Sequence, residues 1–221
     1  MFHRTFFMLE TVVSLLTSSL VLLSNNYQVQ FVSPSAQLVS VEKEPVLASA
    51  TLDLCFRHPQ PKMSQGFKEN ILKALEYLEK DNGDKTILAP GEVFAFHRNV
   101  LPEFKDEKIV TQNSGFLAKE GYKVVGGLQG NGVCHLASLM NKVGREAGLE
   151  VTSLVSHDFA QIPGIEEKYG ASVFFLPEPN LSSQRQNLYI KNNQAFPVEF
   201  VFDLKDDCLL HFSIKKPLWA I

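Results

Sequence analysis

The stretch Gly126–Gly148, GGLQGNGVCHLASLMNKVGREAG, joins a glycine-rich loop to a short amphipathic segment that begins around Cys134. Apolar side chains recur at helical spacing along this segment, which predicts a helix with one buried face. That face consists of Leu136, Leu139, Met140, Val143 and Ala147. Gly148 stands where a left-handed C-terminal cap would end the helix. The sequence therefore predicts a loop followed by a helix that carries Cys134 at its N-terminus.

A thiol at this position has the surroundings of a reactive cysteine. Unpaired N–H groups and a partial positive charge at a helix N-terminus favour thiolate, which predicts a Cys134 pKa below the free value of about 8.5. Glycines let the preceding loop turn sharply and point N–H groups at an anion. The predicted oxyanion loop consists of Gly130, Asn131, Gly132 and Val133. The alternative is that Cys134 is a small buried hydrophobe beside an apolar helix.

A cysteine nucleophile needs a base or a counter-cation, and the chain has six histidines. His157 follows the predicted strand Val151–Val155 and can return to the start of the helix, so it is the predicted catalytic partner of Cys134. His135 is a possible accessory residue, although adjacent residues on a helix point in different directions. Either histidine could instead be an ordinary surface residue. Metal binding by these three residues is a third alternative, but adjacent Cys and His is not a usual zinc spacing.

Several motifs together indicate a family. Gly130-Asn131-Gly132-Val133-Cys134-His135 resembles the Gly-Gly-Gly-x-Cys-Gln signature of the VanW-like family, and Pro90–Phe96 resembles its Pro-Gly-Glu-x-Phe-Ser-Phe segment. In order and spacing, the resemblance covers roughly Leu52–Leu204. The other matching segments are Glu120–Tyr122, Ala147–Val151, Ser156-His157, Ala171–Val173 and Ile190–Asn193 with the following Pro197.

Three positions depart from the family pattern. The glutamine after the cysteine is His135, and the second glycine of the triplet is Asn131. Where the family reads Asp-Ala-Thr-Val, this chain has Gly170-Ala171-Ser172-Val173, so that carboxylate is missing. The last departure leaves the third member of a catalytic set unassigned.

Relatives with this signature look like L,D-transpeptidases of the bacterial cell wall. The resemblance implies a cysteine acyltransferase that acts on peptidoglycan stem peptides without a cofactor, with Cys134 as the nucleophile. Water as the acceptor would make the same site a carboxypeptidase. The alternative from a different class is a non-catalytic domain that binds wall peptides or another envelope protein, in which Cys134 is structural.

The whole chain has room for one domain and a leader. It has 221 residues and a net charge of −3, so its charge does not suggest a nucleic-acid partner. Its three cysteines are too few for a disulfide scaffold. A bridge between Cys55 and Cys208 is possible, but the sequence alone does not establish it.

The N-terminal segment predicts attachment to a membrane. Phe6–Leu23 is apolar apart from Glu10 and some hydroxyl residues, and its length is about the minimum for a span. We interpret residues 1–24 as a membrane anchor, with a signal segment of a secreted protein as the alternative. Residues 25–50 form a predicted tether and residues 51–221 a VanW-like domain. The expected location is the outer face of the cytoplasmic membrane.

The remaining patterns predict an α+β fold with a largely antiparallel β-sheet and two main helices. Ser64–Lys80 reads as the first helix, with Ser64 as its N-cap and a buried stripe of apolar side chains. That stripe consists of Phe67, Ile71, Ala74, Leu75 and Leu78. Strands are predicted at 51–56, 151–155, 171–176, 187–191, 197–203 and 208–214. Residues 99–119 read as a polar surface loop or a flap over a groove.

Overall fold

The computed structural model describes residues 45–82, 86–175 and 185–220. The predicted anchor and most of the predicted tether lie outside these residues. Within the described ranges, no helix is long and apolar enough to cross a membrane. The α-helices are α1 (Pro61–Asn82) and α2 (Val133–Glu146). The strands are β1 (Val46–Asp53), β2 (Thr86–Leu88), β3 (Val93–Ala95), β4 (Ile109–Thr111), β5 (Val124–Val125), β6 (Leu128–Gln129), β7 (Glu150–Ser153), β8 (Leu188–Lys191), β9 (Val198–Lys205) and β10 (Leu209–Lys215).

The strands form two four-stranded sheets and a short hairpin. The first sheet has the order β1-β10-β9-β2, and every pairing in it is antiparallel. The second has the order β4-β3-β8-β7, in which β3 and β4 are parallel and the other pairs antiparallel. The hairpin joins β5 to β6. The predicted α+β class with largely antiparallel sheets is confirmed.

Helix α1 begins earlier than its sequence pattern indicates. It starts at Pro61, a residue that suits the first helical position because its missing N–H is not needed there. Ser64 therefore lies inside the helix and is not its N-cap. Its hydroxyl accepts a hydrogen bond from the Arg57 N–H at 2.8 Å and donates one to the Cys55 carbonyl at 2.9 Å. The predicted apolar stripe of α1 is buried throughout.

Helix α2 packs its apolar face into the main core. Leu136, Leu139, Met140 and Val143 are all fully buried. The helix ends as predicted, because Gly148 adopts a left-handed φ of 75°. The Gly148 N–H donates to the Arg145 carbonyl and the Leu149 N–H to the Gly144 carbonyl, which satisfies two of the last helical carbonyls.

Three expectations about the rest of the chain need correction. Val46–Ala50 belongs to β1 and pairs with β10, so the folded part begins inside the predicted tether. Residues 171–175 of the predicted strand 171–176 form no strand. The predicted loop or flap contains β4, which pairs with β3, and Phe116, which is 3% exposed in the core.

The structure contains a disulfide bond that the sequence suggested but did not establish. Cys55 and Cys208 form a disulfide with their Cα atoms 5.3 Å apart. It joins the end of β1 to the turn between β9 and β10, next to the hydrogen bond from the Leu54 N–H to the Cys208 carbonyl. Cys134 is a free thiol.

Candidate functional site

The loop before α2 is held close to its neighbours at two glycines. Gly132, with a φ of 105°, lies so close to α1 that a Cβ there would meet the Phe67 backbone at 2.8 Å. Gly130, with a φ of 64°, would meet the Cβ of Phe116 at 2.6 Å. Side chains are excluded at both positions, because positive φ and close contact act together. The loop that leads to Cys134 is therefore fixed against α1 on one side and Phe116 on the other.

Asn131 takes part in fixing this loop. Its side-chain amide donates to the Val125 carbonyl at 3.1 Å, and its own carbonyl accepts from the Asn70 amide at 2.9 Å. Asn70 also exchanges hydrogen bonds with the backbone of Lys123. Asn131 therefore links the glycine loop to the β5–β6 hairpin and to α1.

Cys134 is the second residue of α2 and lines a cavity of about 190 Å³. The side chain is partly buried, and the Val173 N–H lies 3.4 Å from its Sγ. Phe116, Val133 and Phe159 form parts of the cavity wall. Within the described ranges, the Cys134 N–H has no backbone acceptor. This sulfur therefore lies at a helix start, beside a cavity and close to backbone donors.

Burial raises the pKa of the Cys134 thiol. The N–H groups of Val173, of Cys134 itself and of Phe174 act in the opposite direction, because they stabilise the thiolate, but burial dominates. The sequence-based prediction of a lowered thiol pKa is therefore wrong. Donors that favour a negative charge are nevertheless present at the sulfur.

The segment that carries Val173 is docked along α2 by two polar side chains. The Ser138 hydroxyl donates to the Cys134 carbonyl at 2.7 Å and accepts from the Ala171 N–H at 2.9 Å. The Asn141 amide donates to the Tyr169 carbonyl at 2.9 Å. The Ser172 N–H donates to the Val155 carbonyl, just beyond the end of β7, and the Ala171 and Val173 N–H groups go to Ser138 and Cys134, so no strand ladder forms there.

His135 does not line the cavity beside Cys134. It is 5% exposed and packs edge-to-face on Phe67 and on His157, with ring centroids 5.3 Å and 5.8 Å away. Its Nδ1 is buried without a hydrogen-bond partner among the described residues. Burial lowers the pKa of His135 to about 3, with the charges of Arg57 and His157 acting in the same direction. His135 is therefore neutral at pH 7.

His157 is 5% exposed, and its ring lies 4.1 Å from that of Phe159, which is 70% exposed. Its Nδ1 lies 3.1 Å from the Ala160 carbonyl, so Nδ1 is the protonated nitrogen of the neutral ring. Burial lowers the pKa of His157. The structure brings His157 and His135 into contact. Phe159 contacts His157 and also lines the Cys134 cavity. Among the described residues, no hydrogen bond connects His157 with the Cys134 sulfur.

Position 170, where the family pattern has an aspartate, lies against His157. A Cβ on Gly170 would meet the His157 carbonyl oxygen at 2.8 Å. A side chain at this position would require a backbone shift, and the Ala160 carbonyl instead holds Nδ1 of His157. The chain therefore orients this imidazole without a carboxylate.

His97 contacts the backbone beside the thiol, although no sequence pattern marked it as a site residue. It is 3% exposed, and its Nε2 lies 2.7 Å from the Val173 carbonyl oxygen. The available signal was a polar residue directly after Pro90–Phe96, the second segment of the family resemblance. Among the described residues, no group of three or more His, Cys, Asp or Glu side chains is arranged to hold a metal ion.

Comparison with known proteins gives one match. The family model described as VanW like protein matches residues 68–213, which is more than half of the chain, so the chain belongs to the VanW-like family. No curated protein matches it, and no solved structure does either.

Proposed function

We propose that this protein is an L,D-transpeptidase-like cysteine acyltransferase that acts on peptidoglycan stem peptides outside the cytoplasmic membrane. The observation that carries the proposal is the environment of the Cys134 sulfur. It lies beside a cavity at the start of α2, with the backbone N–H groups of Val173 and Phe174 acting on it. These donors stabilise negative charge in a site that is shielded from water.

In the proposed reaction, the Cys134 thiolate attacks the carbonyl carbon of the peptide bond between an L-centre and a terminal D-amino acid. The carbonyl oxygen becomes an oxyanion, which the Cys134 N–H stabilises; the neighbouring Val133 N–H is not available because it donates to the Gly130 carbonyl. Collapse of this intermediate breaks the C–N bond, and the D-amino acid leaves as an amine after taking up a proton. The amine of a second stem then attacks the thioester, forms the new amide and releases the thiolate.

The proposed base is His157. Its Nδ1 donates to the Ala160 carbonyl, which leaves Nε2 as a proton acceptor. Burial raises the pKa of the Cys134 thiol, so in the proposed mechanism His157 takes the thiol proton when the substrate is bound. Phe159 contacts the imidazole, lines the Cys134 cavity and is 70% exposed, so we propose that it moves when a substrate enters and lets His157 approach the sulfur. The Ala160 carbonyl takes the orienting role that the missing carboxylate at position 170 would have had.

The proposed location rests on two features. The disulfide between Cys55 and Cys208 suits an oxidising compartment outside the cytoplasm. The apolar run Phe6–Leu23 suits an anchor or a signal segment. A reporter that is active only outside the cytoplasmic membrane, fused after Ile221, should be active, and activity of a cytoplasm-only reporter at this point would contradict the proposal.

The test of the chemistry uses the intact chain and a synthetic muropeptide with a tetrapeptide stem that ends in D-alanine. Mass spectrometry should detect release of D-alanine, a thioester on Cys134 and a cross-linked product. Cys134→Ala should abolish all three while the fold is retained. His157→Gln should abolish thioester formation, whereas Lys142→Ala, a matched surface change on α2, should preserve it.

The second candidate function is a non-catalytic domain that binds wall peptides. The raised thiol pKa and the absence of a carboxylate at Gly170 favour it. Binding of the muropeptide without a thioester or released D-alanine, and with unchanged affinity in Cys134→Ala, would establish this function and exclude the enzyme.

A further inference from the structure

We infer that His97 is a positioning residue for Cys134, because it holds the carbonyl of Val173, the residue whose N–H lies against the sulfur. The inference rests on the proposed function only in treating the Cys134 thiolate as a nucleophile. The effect of His97 on the thiol pKa does not depend on catalysis. The inference adds a residue from the end of β3, far from Cys134 in sequence, to the machinery of the site.

Val173 contacts both His97 and Cys134 through its backbone. The Nε2 of His97 lies 2.7 Å from the Val173 carbonyl oxygen, and the Val173 N–H lies 3.4 Å from the Cys134 sulfur. The peptide planes on either side of the Val173 Cα are each rigid, so only the two dihedral angles of Val173 set where its N–H and its carbonyl point. The hydrogen bond between His97 and the carbonyl therefore restrains the backbone of the residue whose N–H faces the sulfur.

The imidazole is held rigidly enough to do this. Its ring stacks on Phe175 with centroids 4.8 Å apart and lies 5.0 Å from the ring of Phe116. The His97 N–H donates to the Asn187 side-chain oxygen at 3.1 Å, and the Asn187 amide donates back to the His97 carbonyl at 3.3 Å. Both the ring and the backbone of His97 are therefore held, the ring by aromatic packing and the backbone by the Asn187 side chain.

The protonation state of His97 is compatible with this role. Burial lowers its pKa to about 4, so the ring is neutral at pH 7 and carries one N–H. The Ser114 backbone also interacts with this ring, but the 2.7 Å contact of Nε2 with the Val173 carbonyl, which only accepts hydrogen bonds, assigns the proton to Nε2. His97 is therefore a neutral donor to the Val173 carbonyl and contributes no charge to the thiolate.

The experiment compares two polar substitutions that differ in reach. In His97→Gln the side-chain amide nitrogen reaches about the position of Nε2, whereas in His97→Asn it stops near Nδ1. The measurement is the apparent pKa of Cys134 in the intact, disulfide-bonded chain, from the ultraviolet absorbance of the thiolate. The rate of alkylation by iodoacetamide is measured against pH on the same samples.

His97→Gln should keep the thiol pKa of the unaltered chain. His97→Asn should raise it by about half a unit to one unit, which is about three- to tenfold less thiolate at a pH below the pKa. Phe104→Leu is the control for lost packing, because Phe104 belongs to a separate small core with Val93, Ala95 and Tyr189. It should lower the melting temperature without moving the thiol pKa.

Equal thiol pKa values in His97→Gln, His97→Asn and the unaltered chain would overturn the role of His97. So would a rise in Phe104→Leu as large as that in His97→Asn, since general loosening would then explain the effect. The absorbance titration does not require a reactive thiol. An inert thiol that forms no thioester would refute the proposed function, while a pKa difference between the two variants would still support the positioning role.

Discussion

Lowering the pH from 7 to 5 should destabilise the fold through His97 and His135. Burial lowers their pKa values to about 4 and about 3, whereas both return to about 6.5 in the unfolded chain. Between these values the unfolded state binds protons that the folded state does not bind, so stability is full above pH 6.5 and falls as the pH falls. At pH 5 each histidine lowers the free energy of unfolding by about 2 kcal/mol relative to pH 7, or by about 4 kcal/mol together.

The loss is measurable because the total stability of a domain is about 5–15 kcal/mol. Urea unfolding curves at pH 7 and pH 5, at equal ionic strength, give the two free energies. Glu92 and Glu166 have pKa values lowered from 4.5, so they take up protons mainly below pH 4.5. The change in stability between pH 7 and pH 5 is therefore dominated by the histidines. His157, with its pKa also lowered by burial, adds to the loss in the same direction.

The double variant His97→Gln/His135→Gln should lose most of this pH dependence, because neither position then takes up a proton on unfolding. Leu139→Ala is the control for lower stability without a titrating group, and it should lose the same free energy at both pH values. Free energies of the unaltered chain that agree within about 1 kcal/mol at pH 7 and pH 5 would refute the assignment of two buried neutral histidines.

Two further predictions concern stability. Leu139→Ala should lower the free energy of unfolding by about 2–5 kcal/mol, because Leu139 is fully buried. Lys142→Ala should lower it by at most about 1 kcal/mol, for the lost ion pairs with Glu146 and Glu166. Equal losses in urea unfolding would mean that the buried face of α2 is misassigned. Reducing the disulfide between Cys55 and Cys208 should cost about 2–5 kcal/mol, because it closes a loop that spans 153 positions; an unchanged melting temperature under reducing conditions would contradict this.

The sequence by itself determined the elements whose signals are local. The apolar periodicity of α2 and the glycine that ends it follow from neighbouring residues, and both agree with the structure. The buried stripe of α1 and the alternating strands near the C-terminus were predictable for the same reason. The start of α1 was missed because Pro61 and Ser64 both suit a helix N-terminus, and only the contacts of Ser64 with Arg57 and Cys55 decide between them.

The tertiary structure decided everything that depends on partners distant in the chain. Strands β2 and β3 flank one short turn but enter different sheets. Residues 171–175 form no strand because the backbone of Ala171 and Val173 hydrogen-bonds to the side chains of Ser138, Cys134 and His97, which leaves, among the described residues, one backbone bond, from Ser172 to Val155. The pKa of Cys134 followed burial and not the helix terminus, because the cost of removing a charge from water depends on the whole packed environment. Local sequence fixes backbone propensity, but desolvation and long-range hydrogen bonds exist only once the chain has folded.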